Sequence, residues 1–233
     1  DKIVEEISRV IPEGILNQLP KDYQPAFFQL LHYSVKGAEL MNKKMLVAQQ
    51  NRWYATQGRS ATNSLAKKVQ LYYDSINQIT DQYNNLLDGK WKHMMSLPPG
   101  WTARYQNMPP VKTIDLSNKS RVGLFLSNED LGYGGINIKA LPCFNPYTQK
   151  TYFFELYNKG RNSVKWSAST KSDWVIVSST EGEFQEQERI YVSVDWSKAP
   201  KGEKHLEEIT IDVSGQKETV YVSLFNPEVP SRA

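Results

Sequence analysis

Ile190-Tyr191-Val192-Ser193-Val194-Asp195-Trp196 alternates apolar with polar side chains. A period of two puts Ile190, Val192, Val194 and Trp196 on one face of an extended chain and Tyr191, Ser193 and Asp195 on the other. That is the pattern of a strand with one buried face. The same alternation runs through Ile209-Thr210-Ile211-Asp212-Val213 and Val220-Tyr221-Val222-Ser223-Leu224. Residues 152–157, 164–168 and 174–178 are rich in aromatic and β-branched residues, and 121–126 and 136–138 add candidate strands. Asn158-Lys159-Gly160, Glu181-Gly182, Pro200-Lys201-Gly202 and Ser214-Gly215 punctuate them as turns. Short strands at this spacing, with no helical pattern between them, predict an antiparallel, immunoglobulin-like β-sandwich.

Ahead of Pro109-Pro110 the apolar residues recur at spacings of three and four. One stripe is Phe27, Leu30, Leu31, Val35, Ala38, Met41, Met45 and Ala48; another is Ala61, Leu65, Val69, Tyr72, Ile76, Ile79, Tyr83 and Leu86. Each predicts an amphipathic helix. Pro20 and Pro25 bracket the start of the first and Gly58 interrupts it near its end. Ser60 is a candidate N-cap for the second, which closes at Asp88-Gly89. Helices of about 25–30 residues are about 40 Å long, and joined through Gln57-Gly58-Arg59 they form an antiparallel pair. Residues 2–19 predict a shorter helix, bent near Pro12-Glu13-Gly14. The expected fold class is α+β in two domains: a helical bundle over 1–108, then a linker and β-sandwich over 109–233, with 109–120 as the connection.

The chain has 233 residues, enough for two domains at roughly 150 residues each. A composition that is 39% hydrophobic and 23% charged excludes collagen-like, disordered and coiled-coil-only chains. No apolar run approaches the ~20 residues a transmembrane helix needs. A net charge of +3 gives no reason to expect nucleic acid or an anionic membrane as partner. Cys143 is the only cysteine, which excludes internal disulfides and multi-cysteine metal sites. The sequence opens at Asp1 without a methionine and runs straight into the helix-like Lys2-Ile3-Val4-Glu5-Glu6-Ile7. The expectation is a piece of a longer or processed protein.

Little in the sequence converges on catalysis. His32, His93 and His205 share no ligand spacing, so no metal is expected, nor any cofactor. His32 reads as a core or boundary residue of a helix, His205 as part of a charged, solvated loop. Cys143 stands among apolar neighbours in Leu141-Pro142-Cys143-Phe144 and reads as packing. Gly132-Tyr133-Gly134-Gly135 lacks the lysine and helix start of a phosphate loop. The acids at Glu5-Glu6, Glu181, Glu183, Glu186, Glu188 and Glu207-Glu208 read as solvated surface charge, and no catalytic residue is assigned. The aromatic residues are more suggestive, because sugar rings stack on such faces and sandwich cores use them equally. Trp166, Trp174 and Trp196 fall in strand patterns, so at least two should be core. The aromatic, proline-stiffened stretch from Asp88 to Pro110 either caps the bundle or is presented to a neighbouring domain or ligand.

Several stretches, taken in order, resemble family 115 of the glycoside hydrolases, the xylan α-glucuronidases. They are Pro20-Lys21-Asp22-Tyr23-Gln24-Pro25-Ala26-Phe27-Phe28-Gln29-Leu30, Gln57-Gly58-Arg59-Ser60-Ala61 and Gly89-Lys90-Trp91-Lys92-His93-Met94-Met95 in the helical half. In the second half they are Leu141-Pro142, Asn158-Lys159-Gly160, Asp173-Trp174 and Val194-Asp195-Trp196-Ser197-Lys198-Ala199-Pro200. The resemblance implies the helical domain and C-terminal sandwich of a periplasmic or secreted enzyme. Such an enzyme removes glucuronic acid, or its 4-O-methyl ether, from xylan with inversion, using carboxylates in an upstream (β/α)-barrel absent from this chain. It further implies that the chain alone is inactive, supports that missing catalytic domain, acts on plant polysaccharide through it, and contributes to homodimerisation.

The stretch after the His-Met-Met run departs from the family. There the family continues with Asp-Gln-Thr-His-Ile-Gly-Tyr, and here Ser96-Leu97-Pro98-Pro99-Gly100-Trp101 stands instead. Buried polar contacts discriminate one sugar from another, so with this polar loop replaced the family's sugar specificity does not carry over with the resemblance. By the same resemblance His93, Trp101, Arg104 and Tyr105 belong to a loop facing substrate or barrel. A bundle built to support a barrel should also expose an unusually large apolar patch. The alternative is a carbohydrate-binding module in which Tyr191 and Tyr221, alternating with core residues, point outward and stack on a glycan.

Overall fold

The computed structural model describes Ile15 and residues 18–95, 107–119, 121–127 and 139–228. The strand expected at 136–138, the glycine-rich 132–135 and nearly all of the helix expected over 2–19 lie outside the described residues. The chain is α+β, with helices followed by two antiparallel sheets. It divides into two compact units, one of Asp1–Gln57 with Thr62–Ile114, the other of Gly58–Ala61 with Asp115–Ala233.

In the helical unit a turn closed by Tyr23 N–H on the Pro20 carbonyl (2.9 Å) leads into α1 (Gln24–Phe27), with proline in its first turn. A π-helical turn, Phe28–His32, carries the chain into α2 (Tyr33–Gln57), and α3 (Ala61–Gly89) runs back antiparallel. The pairing is read from Tyr33 against Thr80 (3.2 Å between hydroxyls), the Tyr33 and Tyr83 rings (4.7 Å between centroids), and the Asn51 amide on the Thr62 carbonyl (2.7 Å). Helical dihedrals in α3 give way at Leu86, ahead of the expected close at Asp88-Gly89, and Leu87, Asp88 and Gly89 all take positive φ.

The stripe expected on α3 is buried at Ala61, Leu65, Val69 and Tyr83. The one expected ahead of it is buried only at Ala48: Leu30 and Leu31 are exposed, and the other buried positions are Phe28, Glu39, Leu40, Lys44, Asn51 and Tyr54. Polar residues occupy the inner face because they have partners there. Asn51 donates to the Lys112 carbonyl (2.9 Å) and accepts the Lys112 N–H (2.7 Å), and Asn63 does the same with Ile114 (2.9 Å each way). Each side-chain amide substitutes for a neighbouring strand's peptide group, so residues 109–114 lie along the helices and group with them.

Lys44 has no exposed surface; its ammonium donates to the Asn107 carbonyl (3.3 Å) and faces the Tyr73 ring. Burial pushes its pKa below the ordinary lysine value of 10.5. The unfolded chain therefore holds that proton to higher pH than the folded one. Stability should rise with pH between the folded value and 10.5, and the burial penalty should be full below that window. Lys44→Met is expected to abolish this alkaline rise. Urea midpoints measured from neutral pH to about 10 test it, and an unchanged rise in the variant would count against it.

The second unit is the sandwich. Its strands are β1 (Val122–Leu126), β2 (Tyr152–Asn158), β3 (Val164–Thr170), β4 (Val175–Val177), β5 (Glu181–Phe184), β6 (Gln187–Val194), β7 (Gly202–Val213) and β8 (Gln216–Asn226). One sheet has the order β1-β2-β6-β4, the other β5-β3-β7-β8. This is the constant-type immunoglobulin arrangement with β5 added at an edge. Phe154, Leu156, Ile190 and Val192 from one sheet meet Val164, Ile209, Ile211, Val220 and Val222 from the other. Each such side chain, fully buried, is worth about 1.5–3 kcal/mol. Trp166 and Trp174 are core and Trp196 packs against it partly buried. Ser214 and Gly215, both at positive φ, close the β7–β8 hairpin in the twist such ribbons favour.

Three local expectations are corrected here. Glu181-Gly182 is not a turn but the start of β5, paired with β3 so that Gly182 lies opposite Trp166. His205 belongs to β7, where its Nε2 meets the Lys201 carbonyl at 2.9 Å, rather than to a solvated loop. Ser60 does not cap α3: its buried hydroxyl makes no hydrogen bond, while its N–H donates to the Asn158 carbonyl (2.7 Å).

Candidate functional site

The outward positions of the first sheet carry a charge cluster that strand alternation dictates. On β2 the core takes Phe154 and Leu156, so Phe153, Glu155 and Tyr157 point away from it. Glu155 is flanked across the strands by Phe125 of β1 and Arg189 of β6. Arg59, from the short segment Gly58–Ala61, bonds one carboxylate oxygen, and Arg189 bonds the other (3.0 and 3.2 Å). The Arg59 guanidinium also lies over the Tyr157 ring at 4.0 Å and near the Phe125 ring at 5.5 Å. Arg59 and Glu155 are buried, whereas the Arg189 side chain is 44% exposed and stacks on Phe153 at 4.1 Å. Burial alone would weaken the hold of Arg189 on its proton, but the hydrogen bond and charge of Glu155 outweigh that and raise its pKa. This cluster fixes conformation; both oxygens of its one acid are engaged.

Beside it Tyr191 is exposed, its ring edge-on to Phe153 (6.2 Å between centroids) and its N–H on the Ser178 hydroxyl (3.0 Å). Tyr221 lies on β8, opposite Glu208 of β7, on the outer face of the other sheet. The two tyrosines therefore sit on opposite faces of the sandwich and cannot serve one platform. Tyr221 borders a cleft of about 450 Å³ shared with Ser169, Lys171, Leu206, Glu208 and Thr210. Among the described residues the side chains of Ser169, Lys171, Glu208 and Thr210 make no hydrogen bond. Glu207 differs: its oxygens are taken by the Ser172 hydroxyl and the Glu208 N–H (2.8 Å).

Of the other expected site residues, His93 is exposed with φ +71 and its N–H on the Asn84 side chain (3.1 Å). Trp101, Arg104 and Tyr105 lie outside the described residues. Cys143 is exposed rather than packed. Among the described residues no His, Cys, Asp and Glu gather to hold a metal ion, and no helix is long and apolar enough to cross a membrane. The residue that sequence reasoning missed is Glu155. Its signal was present: a single charge inside Phe153-Phe154-Glu155-Leu156-Tyr157, where an apolar strand gives a carboxylate no reason to be unless a cation meets it.

No family model and no curated protein matches the chain. Among solved structures it is similar to a Bacteroides ovatus GH5 xyloglucanase in complex with a XXXG heptasaccharide, with 16% identity and a TM-score of 0.32 over 47% of this chain and 20% of that one. It is also similar to the E. coli chaperone DraB (12% identity, TM-score 0.33, 47% of this chain and 58% of that one). A third is the ASH/PapD-like domain of human CEP192 (13% identity, TM-score 0.31, 53% of this chain and 96% of that one). The chain thus spans a fifth of the xyloglucanase and under two thirds of the chaperone. Likeness at this level is partial and says nothing of activity, so the family-115 resemblance rests on the quoted residues alone.

Proposed function

We propose that this chain is the non-catalytic helical-plus-sandwich part of a glycoside hydrolase resembling family 115, and that it supports a separate catalytic barrel acting on glucuronoxylan-type polysaccharide. One observation carries the reading: three residues within the resembling stretches, Arg59, Asn158 and Asp195, hold the framework. Arg59, in Gln57-Gly58-Arg59-Ser60-Ala61, is the buried partner of Glu155. Asn158, in Asn158-Lys159-Gly160, is fully buried and donates to the Asn162 and Gln185 carbonyls (2.7 and 2.9 Å) while accepting the Gly160 N–H (2.7 Å). Asp195, in the stretch running to Pro200, closes a turn on Ser197, whose hydroxyl and N–H hold its carboxyl below the usual carboxylate range. On this reading what the chain shares with the family is a scaffold, in which Asp195 holds a turn.

The chain alone is expected to release no glucuronic acid from glucuronoxylan. Incubation with the polymer, followed by chromatography of the released uronic acids, tests this, and robust hydrolysis would overturn it. A reading frame ahead of Asp1 that encodes no barrel would overturn it equally.

A further inference from the structure

We infer that the Tyr221 cleft on the outer face of the β5-β3-β7-β8 sheet binds a neutral, hydroxyl-rich saccharide. Tyr221 is 37% exposed and Leu206 64%, so the cleft has an aromatic wall and an aliphatic one. The backbone around the ring is fixed: Tyr221 N–H donates to the Lys139 carbonyl (2.8 Å) and its carbonyl accepts the Leu141 N–H (2.9 Å). A rigid aromatic face offers area to sugar C–H groups at small entropic cost.

The polar groups decide what kind of ligand fits. Ser169 and Thr210 are direct cross-strand partners, and Thr210 lies two positions from Glu208 on the same face of β7. Their hydroxyls both donate and accept, the Glu208 carboxylate only accepts, and the Lys171 ammonium only donates. A sugar hydroxyl does both, so it can meet every one of these groups, whereas a purely apolar ligand would leave them unmet. An anionic ligand would gain from Lys171 but be opposed by Glu207 and Glu208, which leave the cleft with an excess of negative charge. Its volume of about 450 Å³ suits a short saccharide segment. The inference stands whether or not a catalytic barrel accompanies the chain, so its failure and that of the scaffold reading are separate results.

Titration calorimetry of the full chain with xylohexaose and with cellohexaose tests it, with an oligogalacturonate as anionic control. Saturable binding of at least one neutral oligosaccharide is expected, weakened at least about tenfold by Tyr221→Ala. Tyr221→Phe should keep most of the affinity because the ring remains, and Tyr191→Ala should keep all of it because that residue lies on the opposite face. Thermal melting controls for folding of each variant. Absence of binding by both neutral probes, tighter binding of the oligogalacturonate, or equal loss in Tyr191→Ala would each overturn the assignment.

Discussion

Glu155→Ala is expected to destabilise the sandwich by about 3–5 kcal/mol, as removal of one partner from a buried ion pair does. The Arg59 side chain has no exposed surface and the Glu155 side chain only 3%. A guanidinium cannot shed its proton at any accessible pH. Without the carboxylate, Arg59 keeps its charge over the Tyr157 and Phe125 rings, at 4.0 and 5.5 Å. Ring faces return only part of the lost interaction. Arg189→Ala should cost much less, because that side chain is 44% exposed and exposed pairs contribute about 0–1 kcal/mol. Replacing both buried partners, Arg59→Met with Glu155→Leu, should recover much of the loss, since no charge is then stranded. Urea unfolding at neutral pH measures all of these. A loss below about 1 kcal/mol in Glu155→Ala would mean that the pair is dispensable.

Gly123→Ala should cost about 1–3 kcal/mol, a large effect for one added methyl, because it overpacks a fixed site. Gly123 lies directly opposite Tyr157 in the β1–β2 ladder, and a Cβ there would stand 2.1 Å from the Tyr157 Cζ and 2.3 Å from Cε2. The ring cannot simply lift away, since Arg59 lies over it at 4.0 Å and Lys159 at 5.5 Å. Non-additivity is the diagnostic. In a Tyr157→Ala background the cost of Gly123→Ala should shrink to within about 0.5 kcal/mol, because the clash partner is gone. An undiminished cost would locate the strain in the backbone instead. Gly182 under Trp166 repeats the device on β5, where a Cβ would meet the indole Nε1 at 2.8 Å and displace its hydrogen bond to Glu188.

These two glycines also mark where sequence reading ends. Strands whose apolar residues alternate, such as β6 and β8, were legible because burial on one face writes itself into the period. β5 was not: Glu181-Gly182-Glu183 has the composition of a turn, and it is a strand only because β3 supplies an aromatic side chain to fill the space over the glycine. On α2 the apolar stripe misled because Lys44 and Asn51, whose partners lie distant in sequence, took the inner positions. The outward placement of Tyr191 and Tyr221 followed from the period. That they face opposite ways could not, since it depends on which sheet each strand joins. Glu155 is the most instructive omission, because its meaning depends on an arginine 96 residues away in the chain.

The paired amide clamps on residues 109–114 impose a rule on how this segment can change. The bonds that Asn51 and Asn63 make to Lys112 and Ile114 all go to main-chain atoms, so the identities of those two residues matter little to the clamps. Their phase matters a great deal: losing or gaining a single residue between them would carry one clamp out of step with the other. Across species this stretch should drift freely in composition while tolerating neither insertion nor deletion.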